Sequence, residues 1–167
     1  MTIGNTRQPP APPLREVRGV LHRLPAGEFP HGRVPPPPDL ADRIEHCWCV
    51  RWNLDGRPPR VQETLPHPSV HLVVEPGRAD FWGVPTRRWT RVLAGRSMAF
   101  GIKFRPGGHR AWLKRPVSTL ANASLPAEAL LGAGLAGLGG VPEAASDEAA
   151  AALANARECE IVVTRVT

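Results

Sequence analysis

From Ile44 to Arg105, apolar side chains recur at every second position in short runs, and most runs end on a glycine or a proline. A period of two is that of a strand with one face buried; a helix would repeat about every 3.6 residues. The longest run places Ile44, His46, Trp48, Val50, Trp52 and Leu54 on one face, with Glu45, Cys47, Cys49, Arg51 and Asn53 on the other, as far as the Asp55-Gly56 turn. Strands follow over 61–65, 70–75, 78–84, 87–93 and 97–105, with His67-Pro68, Pro76-Gly77, Pro85 and Gly95 at the breaks. Close spacing with a turn residue at each break predicts an antiparallel meander closing into a sandwich or barrel. Trp48, Val50, Trp52, Leu72, Val74, Phe100, Ile102 and Phe104 are predicted to share one core.

The last run ends in the sharpest change of period. Met98, Phe100, Ile102 and Phe104 alternate with Ala99, Gly101, Lys103 and Arg105; Pro106, Gly107 and Gly108 follow, and His109 to Leu113 suit a helix's first turns. Pro106 has no ladder hydrogen to give and the glycines relax the backbone, so the stretch reads as strand, tight corner and helix. Ala99 and Gly101 leave room beside Lys103 and Arg105, and free N–H groups at a helix start favour an anion. Lys103, Arg105, Gly107 and Gly108, with His71 from the strand near Val70, are therefore the candidate ligand-binding residues, and a small anionic metabolite is the candidate ligand. The plainer alternative is a bare corner with both cations in water.

Helices are expected only on the C-terminal side, over 110–114, 126–131 and the alanine-rich 143–157, before a β-branched ending over 160–167. Ten of the 20 prolines fall in the first 38 residues. Residues 1–38 therefore read as a Pro-rich, partly disordered segment with a short strand over 17–24, the β-rich unit as 39–135, opened by a helical turn capped by Asp39, and 136–167 as a Gly/Ala-rich tail.

Nine of the 21 Lys and Arg lie between Arg87 and Arg115, inside a stretch that has no Asp or Glu from 81 to 127. The net charge of +6 is thus local, and such a patch suits an anionic ligand, a nucleic acid or an acidic surface, unless it is simply solvated. No apolar run approaches the ~18–20 residues of a membrane span and no signal peptide precedes the fold, so a cytoplasmic location without membrane contact is expected. Cys47 and Cys49 sit two apart on a strand and Cys159 makes the number odd, which reads as three reduced thiols.

No phosphate loop, nucleophile elbow or paired carboxylates occur, so no catalytic residue, no enzymatic activity and no cofactor are expected. His67 and His71 stand four apart with Pro68 between them, which rules out a helical metal pair. With Glu75 they give the alternative of a metal-binding barrel or enzyme, whose imidazoles and carboxylate would converge on the interior.

Four segments taken in order carry a resemblance: Pro36-Pro-Pro-Asp-Leu-Ala-Asp-Arg-Ile-Glu-His-Cys-Trp-Cys-Val-Arg-Trp, Leu65-Pro-His-Pro-Ser-Val-His-Leu-Val-Val-Glu, Gly83-Val-Pro-Thr-Arg-Arg, and Phe100-Gly-Ile-Lys-Phe-Arg-Pro-Gly-Gly. Over roughly residues 34 to 131 the series resembles the N-terminal sensor domain of AraC-type bacterial transcriptional regulators. The resemblance implies a cupin-like antiparallel β-barrel or sandwich followed by short helices, used for ligand sensing and dimerisation. It implies as partner a second copy or a related full-length regulator, and the bare pairing module is a further alternative. The helix-turn-helix pair that follows the sensor in that family is not visible after Glu143, so the chain is expected to be a truncated regulator without sequence-specific DNA binding.

Overall fold

The computed structural model describes residues 31–36 and 38–131. The expected strand at 17–24, the alanine-rich helix, Cys159 and the tail over 136–167 lie outside the described residues.

The fold is mainly β. Eight strands occur among the described residues: β1 (His31–Val34), β2 (Ile44–Leu54), β3 (Arg60–Thr64), β4 (His71–Glu75), β5 (Arg78–Trp82), β6 (Trp89–Leu93), β7 (Gly95–Phe104) and β8 (Ser124–Pro126). Among the described residues, helical structure is confined to α1 (Glu128–Leu131) and three short 3-10 turns, at Pro38–Leu40, Gly108–Ala111 and Val117–Leu120. No helix among the described residues is long and apolar enough to cross a membrane.

All pairings are antiparallel, but the chain is not a simple meander. One sheet runs β1-β2-β7-β4-β5-β8, and β3 pairs with β6 as a second sheet. The two longest strands, β2 and β7, lie side by side from Ile44↔Phe104 to Leu54↔Gly95, although some forty residues separate them in the chain. Their length decides this, since a full ladder between long strands satisfies more backbone groups than pairing either with a five-residue neighbour. β1 was hidden by the prolines around it and lies within the segment read as Pro-rich; it pairs with β2 from His31↔Val50 to Val34↔Cys47.

The β2–β7 register separates the residues predicted to share one core. Cys47 faces Ile102 and Cys49 faces Phe100 across the ladder, while Trp48 faces Gly101. The cysteines therefore stand with the phenylalanines, and Trp48 stands on the opposite face. A register shift between Ile44 and His46 turns Ile44 to the cysteine side as well. Leu72, Val74, Phe81, Phe100, Ile102 and Phe104 form that side's core, each at most 1% exposed, and Leu40, Trp112 and Ala127 cover it from the turns outside the sheet. Phe104 stacks on Phe81 at 5.8 Å and leans on Trp112 at 5.1 Å. The other face carries a smaller cluster of Trp52, Leu54, Leu93 and Ala99, with Trp48, Val50 and Val73 packed against it. Cys47 is disulfide-bonded, which corrects the expectation of three reduced thiols.

The Phe-Arg-Pro-Gly-Gly corner is present, but it ends in a single 3-10 turn rather than a helix. Gly107 takes the left-handed φ of 79° that the turn requires. Gly108 lies so close to the segment before β2 that a Cβ there would sit 2.1 Å from the Arg43 carbonyl oxygen. Arg105 fastens the same segment, donating from its backbone N–H to Arg43 O at 2.8 Å and from Nε to Ala41 O at 2.7 Å.

A candidate ligand cavity between the two sheets

The face of the large sheet that carries Trp48 looks across at β3–β6, and the sheets enclose a cavity of about 690 Å³. Alternation selects its walls. From β2 come His46, Trp48, Val50 and Trp52; from β4 come His71, Val73 and Glu75; β6 closes the opposite side with Trp89, Arg91 and Leu93. Four tryptophans, Trp48, Trp52, Trp82 and Trp89, line the space. A cavity of this size with aromatic, mostly apolar wall surface and polar groups gathered at defined places is the usual form of a small-molecule site.

The polar groups gather at one end. Cross-strand pairing sets His46, Lys103, His71 and Trp82 in a row over four strands, through His46↔Lys103, His71↔Lys103 and His71↔Trp82. Lys103, buried at 7% exposure, donates to Glu45 Oε1 at 2.8 Å and lies 3.3 Å from His67 Nε2. Burial works to raise the Glu45 pKa, but the hydrogen bond and charge of Lys103 outweigh it and hold the carboxyl below its usual range. Burial does the opposite to the imidazoles. His46 and His71 are each held at about 4, by burial first and next by the charge of Arg33 for His46 and of Lys103 for His71. His67 is lowered for the same reasons, burial and then Lys103. This end of the cavity thus holds neutral imidazoles around one ammonium–carboxylate pair.

At the other end Glu75 pairs with Arg91, whose guanidinium lies 5.5 Å from the centre of the Trp52 ring. Arg88 pairs with Glu63 at 3.3 Å, Arg87 also lines the cavity, and Arg33, paired across the ladder with Trp48, adds its charge on the side of His46.

The predicted site residues therefore part company. Lys103 and His71 line the cavity as adjacent partners. Arg105, Gly107 and Gly108 do not: they form the corner stitched to the loop before β2, and no helix of useful length starts there. Lys103 is paired with the Glu45 carboxylate, while Arg105 clamps a backbone carbonyl. The alternative metal set separates too. Glu75 is four strand residues from His71, about 13 Å at ~3.3 Å per residue, and is engaged by Arg91. His67 Nδ1 contacts Ser69 Oγ at 2.8 Å and His71 Nδ1 accepts from Trp48 Nε1 at 3.2 Å. No group of three or more His, Cys, Asp or Glu suited to a metal occurs among the described residues.

Sequence reasoning had not assigned His46, Glu45, Trp82, Trp89 or Arg91 to a ligand site. For His46 a signal existed, since it is the one polar side chain alternating with Ile44, Trp48, Val50 and Trp52. The others come from strands whose pairing no local pattern announces.

No curated protein and no solved structure matches the chain. The family model described as a domain of unknown function (DUF6597) matches residues 32–126, from β1 to the end of β8 and more than half of the sequence. The chain belongs to this family.

Proposed function

We propose that this domain is the ligand-sensing and dimerising module of an AraC-type transcriptional regulator, acting in the cytoplasm, with neither catalysis nor DNA reading of its own. The observation that carries the reading is the cavity of about 690 Å³ between the sheets, walled by four tryptophans. The ordered motif series supports the regulator assignment, and its sensor segment overlaps the family match over 32–126. Dimerisation, with a second copy or a related regulator, comes from the same resemblance.

The architecture suggests how occupancy would be transmitted. One wall belongs to the large sheet and the other to β3–β6, so a molecule touching both favours the arrangement in which the two walls fit it, in proportion to its differential affinity. Val61 and Val92, cross-strand partners on the side of β3–β6 away from the cavity, are 52% and 63% exposed and offer a surface on which such a change can be read.

A thermal-shift screen of small organic acids tests the proposal. A ligand at about 100 times its Kd adds ~2.7 kcal/mol and raises Tm by several degrees. The rise is expected in the wild type and should vanish in Val73→Trp, which fills the cavity from β4. A rise that survives in Val73→Trp would put the ligand elsewhere, and no rise with any acid would remove the sensing role.

A further inference from the structure

Trp48 lies across β7 where that strand has no side chain: a Cβ on Gly101 would sit 2.1 Å from the indole ring. From this position its N–H donates to Nδ1 of His71 at 3.2 Å. An indole N–H can only donate, so Nδ1 accepts, and the neutral imidazole carries its proton on Nε2. His67 is set the other way. Its Nε2 faces the Lys103 ammonium at 3.3 Å, which cannot accept, so its proton is on Nδ1 and goes to the Ser69 hydroxyl at 2.8 Å.

Lys103 gives one hydrogen to Glu45 and one to His67, and keeps a third. His71 and Lys103 are direct cross-strand partners, which puts their Cβ atoms about 5 Å apart. The carboxylates in reach already have cationic partners, Glu45 in Lys103 and Glu75 in Arg91. This end of the cavity therefore offers two polar hydrogens, one of them cationic, and the rest of the wall is largely indole and aliphatic.

On the reading that the cavity holds a small organic molecule, we propose that its ligand is a monocarboxylate with an apolar, ring-sized body, its oxygens held by Lys103 Nζ and His71 Nε2–H and its body lying among the indoles. One carboxylate has the two oxygens that the Lys103 and His71 hydrogens can hold, and a body rich in hydroxyls would lose hydrogen bonds to water against these walls. Trp48 is a positioning residue, because its N–H fixes which His71 nitrogen bears the hydrogen. Arg33 and Arg87 draw anions toward the cavity they line.

Isothermal titration calorimetry of the full chain with naphthoate and naphthamide, alike in shape and different in charge, tests the assignment. Naphthoate is expected to bind about tenfold or more tightly than the amide, because its hydrogen bonds are charge-assisted. The ratio should fall to near one in Lys103→Met and in His71→Phe, persist in Lys103→Arg, and drop partway in Trp48→Phe, which keeps a ring but loses the N–H. Should Lys103→Met fail to fold, the His71→Phe ratio decides. Equal binding of both probes by the wild type would overturn the clamp while the ligand cavity stood. So would a ratio that survives in His71→Phe and collapses in Arg87→Gln, which would move the carboxylate away from His71. If neither probe nor the neutral dye N-phenyl-1-naphthylamine binds up to its solubility limit, the cavity reading and the clamp fall together.

Discussion

Truncating Phe104 to alanine is expected to cost about 3–5 kcal/mol of folding stability, measured by urea denaturation. Its ring is 1% exposed, stacks on Phe81 and meets Trp112, so it joins the large sheet to the turn beyond the corner. The surrounding strands are held by ladders on both sides of β7 and cannot collapse fully into the space left behind. Val92→Ala is the matched control, since Val92 is 63% exposed and its loss should stay within about 0.5 kcal/mol. A Phe104→Ala loss below about 1 kcal/mol would mean that this face of β7 is not the main core.

Acid should weaken the fold through the imidazoles of the cavity. The unfolded chain takes up a proton on His71 near the usual 6.5, whereas the folded protein resists it until about 4. Between those values the unfolded state binds more protons, so stability falls as pH falls, and the loss is complete once the folded ring also titrates. His71 alone contributes on the order of 3 kcal/mol to this loss. Lys103, His46 and His67 face it with charges that oppose its protonation, and Glu45 opposes them in part. His46 and His67 act in the same direction and over the same side of neutrality. Urea denaturation at neutral pH and near pH 4 should therefore show a steep decline in the wild type and a shallower one in His71→Phe, whose lost hydrogen bond with Trp48 lowers stability equally at both. Identical slopes would show that His71 is not kept neutral by its surroundings.

The strands over 44–105 could be read from alternation because each is bounded by a turn residue and its apolar residues repeat at every second position. What alternation could not supply is the direction of each face. On β2 one face carries Trp48 and Val50 and the other Cys47 and Cys49, and both are apolar enough to be interior. Only the partner settles it: Phe100 and Ile102 stand opposite the cysteines, and Gly101 lies opposite Trp48. The shift at Ile44 is a property of the ladder and leaves no mark in the composition. Short strands such as β1 and β8, with four and three residues, are below the length at which a period of two becomes visible. For the site, Lys103 and His71 were legible as polar residues on otherwise apolar strands. Glu45 was not, because it meets Lys103 across 58 positions of sequence through the β2–β7 pairing. The corner misled for a physical reason: Gly107 and Gly108 serve a tight turn and a close approach to Arg43, and the same residues would have been needed for an anion-binding nest.

Whether the cavity between the sheets is the ligand site can be read most directly from the indole N–H resonances of the protein. Trp48, Trp52, Trp82 and Trp89 line the cavity, while Trp112 packs on Phe104 on the opposite side of the large sheet and serves as an internal control. Titration of the ¹⁵N-labelled chain with naphthoate, followed by these resonances, is expected to move those of the cavity tryptophans, Trp48 most through its bond to His71, and to leave that of Trp112 in place. Movement of Trp112 alone, or saturable binding that moves none of the four cavity indoles, would contradict a ligand site between the sheets.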